Sequence, residues 1–146
     1  MSGGGTVANF PAFSEADWQG LTACSRPIDC QAGASLFAEG DASDGLYFLL
    51  SGTFAVEKKG ELPGKMQTVA LLSGGSVAGE GAMAGIPRRR ASFVCLEAGS
   101  VLFLPLEAHA RLCQENPSLS LVLAHYLLQI AALRLGGCSD RLAVLL

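Results

Sequence analysis

Between Gly79 and Ser92 the chain sets one carboxylate, Glu80, nine residues before Arg89, among glycines, alanines and a basic triplet Arg88-Arg89-Arg90. Small residues let a backbone approach a ligand closely, so that its N–H groups point at an anion. If Gly81 to Gly85 forms a short helical turn, its free N–H groups reinforce that site. An arginine supplies the planar, permanently charged fork that suits a phosphate. A carboxylate beside a phosphate is repelled unless it has another task. Glu80 has one if it accepts a hydrogen bond from a sugar hydroxyl of the same ligand. A phosphate and a ribose hydroxyl held by one short loop describe a small nucleotide. If Arg89 opens a strand, it shares a face with Ala91 and Phe93, and Ala91 leaves room for the anion. Other chemistry is open to the same residues. Three consecutive arginines also form solvated anion patches, and Arg89-Arg90-Ala91-Ser92 also reads as a basophilic kinase target with Ser92 as acceptor.

The elements that must position this loop follow from the rest of the chain. At 146 residues, half of them hydrophobic and 16% charged, one domain with a proper core is expected. A net charge of −3 speaks against a general nucleic-acid surface, which needs many basic groups. Cys24, Cys30, Cys95, Cys113 and Cys138 form an odd, scattered set without a C-x-x-C pair or a preceding secretory signal, so a reduced, cytoplasmic protein is expected. Residues 1–12 read as a flexible leader, 13–117 as a β-rich domain with an N-terminal helix, and 118–146 as a C-terminal helix. Ser14 caps a short helix whose apolar stripe holds Phe13, Trp18 and Leu21. Apolar runs then recur at Ser35 to Ala38, Leu46 to Leu50, Thr53 to Glu57, Met66 to Leu72, Ser92 to Leu96 and Val101 to Leu104. Glycine-bearing turns separate them, which is the pattern of an antiparallel β-sandwich or jelly-roll barrel with flanking helices, an α+β arrangement that is mainly β. Such a barrel mouth places the Gly79 to Ser92 loop where a ligand is held. Leu106 to Glu115 reads as a helix, and a longer one runs from Ser118 to Leu135. The longer helix is apolar almost all round and must be buried on two sides. His125, Gln129 and the shortness of its uncharged run argue against a membrane span.

Three ordered motifs carry a resemblance to the cyclic nucleotide-binding domain family. Gly79-Glu80 with Arg89-Arg90-Ala91-Ser92 is similar to its phosphate-binding cassette. Gly40-Asp41 through Asp44, Leu46, Tyr47 and Gly52 is similar to a hairpin at the corresponding place, where Asp41 and Asp44 read as turn residues that build the barrel without touching ligand. Leu72 through Gly74, Gly79 and Glu80 is similar to the family's lead-in to the cassette. The resemblance implies that Glu80 takes the ribose 2′-hydroxyl and Arg89 the cyclic phosphate. Gly79, Gly81, Ala82, Arg90, Ala91 and Ser92 would complete the site, the backbone near Ala82 and Ala91 supplying N–H groups. Val56 and Val69 would line the pocket against the base. It further implies a regulatory module that binds cyclic AMP more readily than cyclic GMP, signals by moving its C-terminal helix and forms a homodimer through it. No catalytic residue, metal or further cofactor is expected.

Departures from the family pattern bear on each of these points. Gly81 stands where a larger apolar residue is usual, and Arg90 where cyclic-GMP-selective members carry Thr. Ala131 to Leu135 offers no Ser or Thr to cap the purine. Ser139 to Leu146 resembles the segment that leads into a helix-turn-helix in the cyclic-AMP receptor proteins, but these residues contain no recognition helix, so no DNA-binding domain is expected in this chain. A free-standing sensor and a regulatory piece of a longer chain both fit. Two other functions fit the residues less closely. One is a degenerate domain kept as a dimerisation scaffold. The other is a redox or metal sensor using Cys24 and Cys30, with His109 and Cys113 as an i, i+4 pair.

Overall fold

The computed structural model describes residues 9–145, with side chains through residue 136. Helix α1 (Glu15–Cys24) begins where the Ser14 hydroxyl accepts the Asp17 N–H, as the capping pattern predicts. Six strands follow: β1 (Arg26–Cys30), β2 (Ser35–Phe37), β3 (Gly45–Lys59), β4 (Met66–Ser73), β5 (Val77–Ala78) and β6 (Ser92–Pro105). A 3₁₀ turn (Glu80–Ala84) separates β5 from β6, and helices α2 (Leu106–Glu115) and α3 (Pro117–Leu145) close the chain.

The sheet runs β1-β6-β3-β4, with β2 added on β6 and β5 on β3, and every pairing is antiparallel. It is a jelly-roll-like sheet with flanking helices rather than a closed barrel. Two pairs of expected strands are single long ones. Leu46 to Leu50 and Thr53 to Glu57 both lie in β3, while Ser92 to Leu96 and Val101 to Leu104 both lie in β6. Where these two strands bend together, register shifts fall between Leu49 and Phe54. A Cβ on Gly99 would collide there with the Ser51 carbonyl, so glycine marks a close backbone crossing rather than a loop.

The apolar run Leu46–Leu50 is continuous because both faces of β3 are covered. Leu46, Phe48 and Leu50 join Phe10, Phe13, Trp18, Leu21, Leu119, Leu123 and Tyr126 in a core between sheet and helices. Tyr47 and Leu49 point the other way, with Phe54, Phe93, Cys95, Val101 and Phe103, into a second core inside the roll. In β6 the same alternation sends Leu102 and Leu104 to the first core and Val101 and Phe103 to the second.

Helix α3 packs against the domain along one side, as expected, and leaves the side that needs another cover open. Leu119, Leu123 and Tyr126 are buried on one side, but the opposite side is bare: Leu121, Leu128, Leu133 and Leu135 are each 67–73% exposed. The helix also runs unbroken to Leu145 instead of ending near Leu135. Pro117–Gly136 has the length and apolarity of a membrane span. Three of its large side chains nonetheless complete the core of the β-domain, a role that ties the segment to the protein rather than to lipid.

Candidate functional site

Strand β5 delivers the chain to Gly79, which adopts φ +80°, a left-handed conformation that glycine reaches without strain. The 3₁₀ turn follows and ends at Gly85, again left-handed at φ +81°. The chain then returns through Pro87 to the arginine triplet. Arg88 makes an isolated antiparallel bridge with Ala42. The Arg89 N–H donates to the Asp41 carbonyl at 2.7 Å, and the Gly40 N–H donates to the Arg89 carbonyl at 2.8 Å. Arg89 therefore sits in a loop clamped to the 40–45 turn; strand β6 opens only at Ser92, not at Arg89.

That clamp turns the Arg89 side chain inward, where the residue is 5% exposed. Its Nη2 donates to Asp44 Oδ1 and to the Gly45 carbonyl, each at 2.9 Å, and Nη1 donates to the Gly79 carbonyl at 3.3 Å. The guanidinium stacks over Phe37, 4.2 Å from the ring centroid, with Tyr47 at 5.8 Å. Burial chiefly, and then the Asp44 charge, push the Tyr47 phenol upward; Arg89 works against both. Nε of Arg89 is buried without a hydrogen-bond partner. A buried cation that keeps one donor unspent is unusual, since buried polar groups are nearly always paired. Such a donor suits an anion arriving at the cassette.

Asp44 thus does more than build a turn. Asp41 does stay with turn chemistry, its carboxylate accepting the Ala38 N–H at 2.9 Å. Asp44 instead holds the arginine, which places it in the site although sequence reasoning assigned it no such part. Its local signature is only that of a turn; the partnership exists because the arginine loop pairs with that turn.

Glu80 opens the 3₁₀ turn, and Ala82 is buried within it. Arg134, from α3, donates through Nη1 to Glu80 Oε1 and through Nη2 to the Val77 carbonyl at 2.7 Å. Arg134 is a second residue that sequence reasoning missed. Its signal was visible, since it is the one Asp, Glu, Lys or Arg between Pro117 and Gly136.

The remaining predicted residues lie in the turn, the arginine loop and strands β3, β4 and β6. Gly81 packs loosely enough that a Cβ would meet only Ile86, at 3.5 Å. Arg90 is exposed and Ala91 half-buried. Ser92 is buried and its hydroxyl accepts the Glu39 N–H at 2.9 Å, an arrangement that fixes the 37–40 segment and withholds the hydroxyl from a kinase. Val56 packs against the inner core, while Val69 is 37% exposed. Val56 pairs with Ala70 and Glu57 with Thr68, so Val69 is the extra residue of a β-bulge. Two surface grooves, of about 540 and 380 Å³, lie along α3 beside Tyr126 and Gln129, and no cassette residue lines either. Among the described residues, no three His, Cys, Asp or Glu side chains gather to hold a metal ion.

Gly79 is where backbone and site meet. A Cβ there would strike Arg89 Nη1 and lie 3.2 Å from the Gly45 carbonyl. Gly79→Ala is expected to cost about 1–3 kcal/mol through the left-handed backbone and the displaced arginine. Differential scanning calorimetry should show a thermal midpoint lower by about 3–10 °C. A midpoint within a degree of wild type would contradict this geometry.

An antiparallel roll interrupted by a glycine-cornered turn, with a buried arginine behind it, is the architecture of a small-ligand regulatory domain. The model of the cyclic nucleotide-binding domain matches residues 27–116, more than half of the sequence, and the chain belongs to that family. No curated protein sequence matches the chain. Among solved structures, it is similar to the catabolite activator protein of Thermus thermophilus, with 26% identity and a TM-score of 0.79 over 94% of this chain and 62% of that one. The chain therefore spans less than two thirds of that relative. It is also similar to a cyclic nucleotide-binding domain from Methylobacillus flagellatus, with 28% identity and a TM-score of 0.80 over 88% and 72% of the two chains. The regulatory domain of Toxoplasma gondii PKA, solved with cAMP, shares the fold at 22% identity and a TM-score of 0.60, over 70% of this chain and 39% of that one.

Proposed function

We propose that this cyclic nucleotide-binding regulatory module is a sensor of cyclic AMP, preferred over cyclic GMP, that works as a homodimer and signals through α3. The reading rests above all on Arg89, a buried guanidinium braced by Asp44, Gly45 and Gly79 whose Nε has no partner. In this proposal the cyclic phosphate takes that donor together with backbone N–H groups of the 3₁₀ turn, and the ribose 2′-hydroxyl donates to Glu80. Arg90, in place of the Thr common in cyclic-GMP-selective members, favours cyclic AMP. Nothing in this scheme calls for bond cleavage, so the module is read as a binder and not an enzyme. Cys24, Cys30, Cys95 and Cys113, unpaired among the described residues, fit a cytoplasmic setting.

The homodimer is supported by spacing on α3. Leu121, Leu128 and Leu135 recur every seven residues, with His125 and Ala132 between them at intervals of four and three. That is the a/d repeat of a two-stranded coiled coil, and all five residues are exposed.

Calorimetric titration of nucleotide-free protein tests the sensor reading. Saturable binding of cyclic AMP, weaker binding of cyclic GMP and none of linear 5′-AMP are expected. An absence of heat with both cyclic nucleotides would leave the fold as a dimerising scaffold.

A further inference from the structure

We propose that His125 makes the α3 homodimer pH-sensitive, so that two copies held together at neutral pH separate under mild acid. The inference rests on the homodimer reading above and assigns that interface its regulation. It starts from position. His125 and Ala132 alternate with Leu121, Leu128 and Leu135 at intervals of four and three, which puts His125 at an a position of the seam and the leucines at d. In a parallel, in-register pair, His125 faces the partner's His125 across the two-fold axis, between layers of leucine. Two neutral imidazoles can share a hydrogen bond there, one donating and the other accepting. Two imidazolium ions only donate, and closing the seam would take both like charges out of water together.

Among the described residues, no carboxylate stands by to neutralise those charges. His125 is exposed in the protomer and borders a groove with Ala12, Leu121, Val122, Tyr126 and Gln129. The titratable group among these is the Tyr126 phenol, which burial pushes upward and so keeps neutral. Segment Asn9–Ala12, packed on that side of α3, is uncharged. Helices α1 and α2 also pack on α3, but Glu15, Asp17, Glu107, Arg111 and Glu115 lie outside the groove. From Pro117 to Gly136 the helix itself holds no Asp or Glu, and Arg134 is a cation committed to Glu80.

The sign follows from linkage. Imidazoles ordinarily titrate near about 6.5 and carboxylates near about 4. Separated protomers therefore take up protons that the dimer refuses, and dissociation is favoured as pH falls through about 6.5. The chain's one other histidine, His109 on α2, lies off the seam, and burial pushes its imidazole below the usual range.

The test is sedimentation equilibrium of the nucleotide-free full chain at about pH 7.5 and about pH 5.5, on either side of the imidazole range. The wild-type dimer dissociation constant should rise about ten- to hundredfold between them, one or two protons being taken up per dimer. His125→Leu should give a tighter dimer with no such response, and His125→Asn, polar but not titrating, should also be flat. His109→Gln should keep the wild-type response. A wild-type constant that moves by less than about threefold, or a response that persists in His125→Leu, would overturn this inference and leave the homodimer in place. A wild type that is monomeric at neutral pH would remove both.

Discussion

Arg89→Ala is expected to weaken cyclic AMP binding by about a hundredfold or more while the protein still folds. A hydrogen bond to a charged group contributes about 1.5–3 kcal/mol, and the guanidinium offers the phosphate both its full charge and the spare Nε. Folding should survive because of an asymmetry in the ion pair. The Asp44 side chain is 68% exposed, so after the substitution it rehydrates and is not stranded in the interior. The Gly45 carbonyl and the Phe37 ring do lose their partner, which costs stability by about 1–3 kcal/mol. Arg89→Lys separates charge from shape. Lysine keeps the cation but cannot reach the Asp44 carboxylate, two carbonyls and the ligand from one nitrogen, so a loss of about tenfold should remain. Calorimetric titration paired with thermal melts checks both parts. An Arg89→Ala protein that melts cooperatively and binds within threefold of wild type would show that the phosphate goes elsewhere.

The turn between Gly79 and Gly85 was legible in sequence because its geometry is local. Gly79, Glu80 and the 3₁₀ turn are contiguous, and the left-handed glycines at both ends announce themselves by residue type. The Asp44 and Arg134 contributions were hidden for one shared reason. Asp44 lies 45 residues from Arg89, and Arg134 lies 54 from Glu80, so only tertiary pairing makes neighbours of them. Asp44 belongs to the hairpin motif, which gives it turn chemistry only, and Arg134 belongs to no motif. Asp44 reads as one more turn acid, and Arg134 as a stray charge.

The fold shows the same division between local and long-range causes. Alternation and glycine punctuation identified an antiparallel roll, and Ser14 identified the start of α1. Gly52 and Gly99 then misled, since a glycine in a loop and a glycine at a backbone crossing look alike in sequence. Two strands escaped notice altogether. β1 begins at Arg26-Pro27 and carries Asp29, so it shows no apolar alternation; its place comes from pairing with Val101 to Phe103. β5 is two residues long and exists because Val77 and Ala78 pair with Phe48 and Tyr47. The run Ser92 to Leu96 marked the start of β6, whereas the conditional placing of Arg89 on a strand fails, because β6 opens only at Ser92. The clamp between Arg89 and the Gly40–Asp41 backbone overrides the strand propensity there.

Leu128→Asp carries the other large expected effect, on assembly. In the isolated chain Leu128 is 67% exposed, so the substitution removes little from the core and the melt of the protomer should hardly change. In a coiled-coil dimer the same position faces its symmetry mate, and each dimer would have to bury two unpaired carboxylates. Each such charge costs several kcal/mol, so the dimer dissociation constant should rise about a thousandfold or more above wild type. Analytical ultracentrifugation over a range of concentrations is the appropriate measurement. Wild type should sediment as a dimer and Leu128→Asp as a monomer, while Leu133→Asp, off the seam, should leave the dimer in place. Leu133 is equally exposed, at 73%, so the pair of variants separates a register-specific seam from a merely sticky apolar surface. A monomeric wild type, or a dimer lost equally in both variants, would refute the seam. The bare leucines of α3 would then need another cover, and a signal reaching α3 would have no partner subunit to pass to.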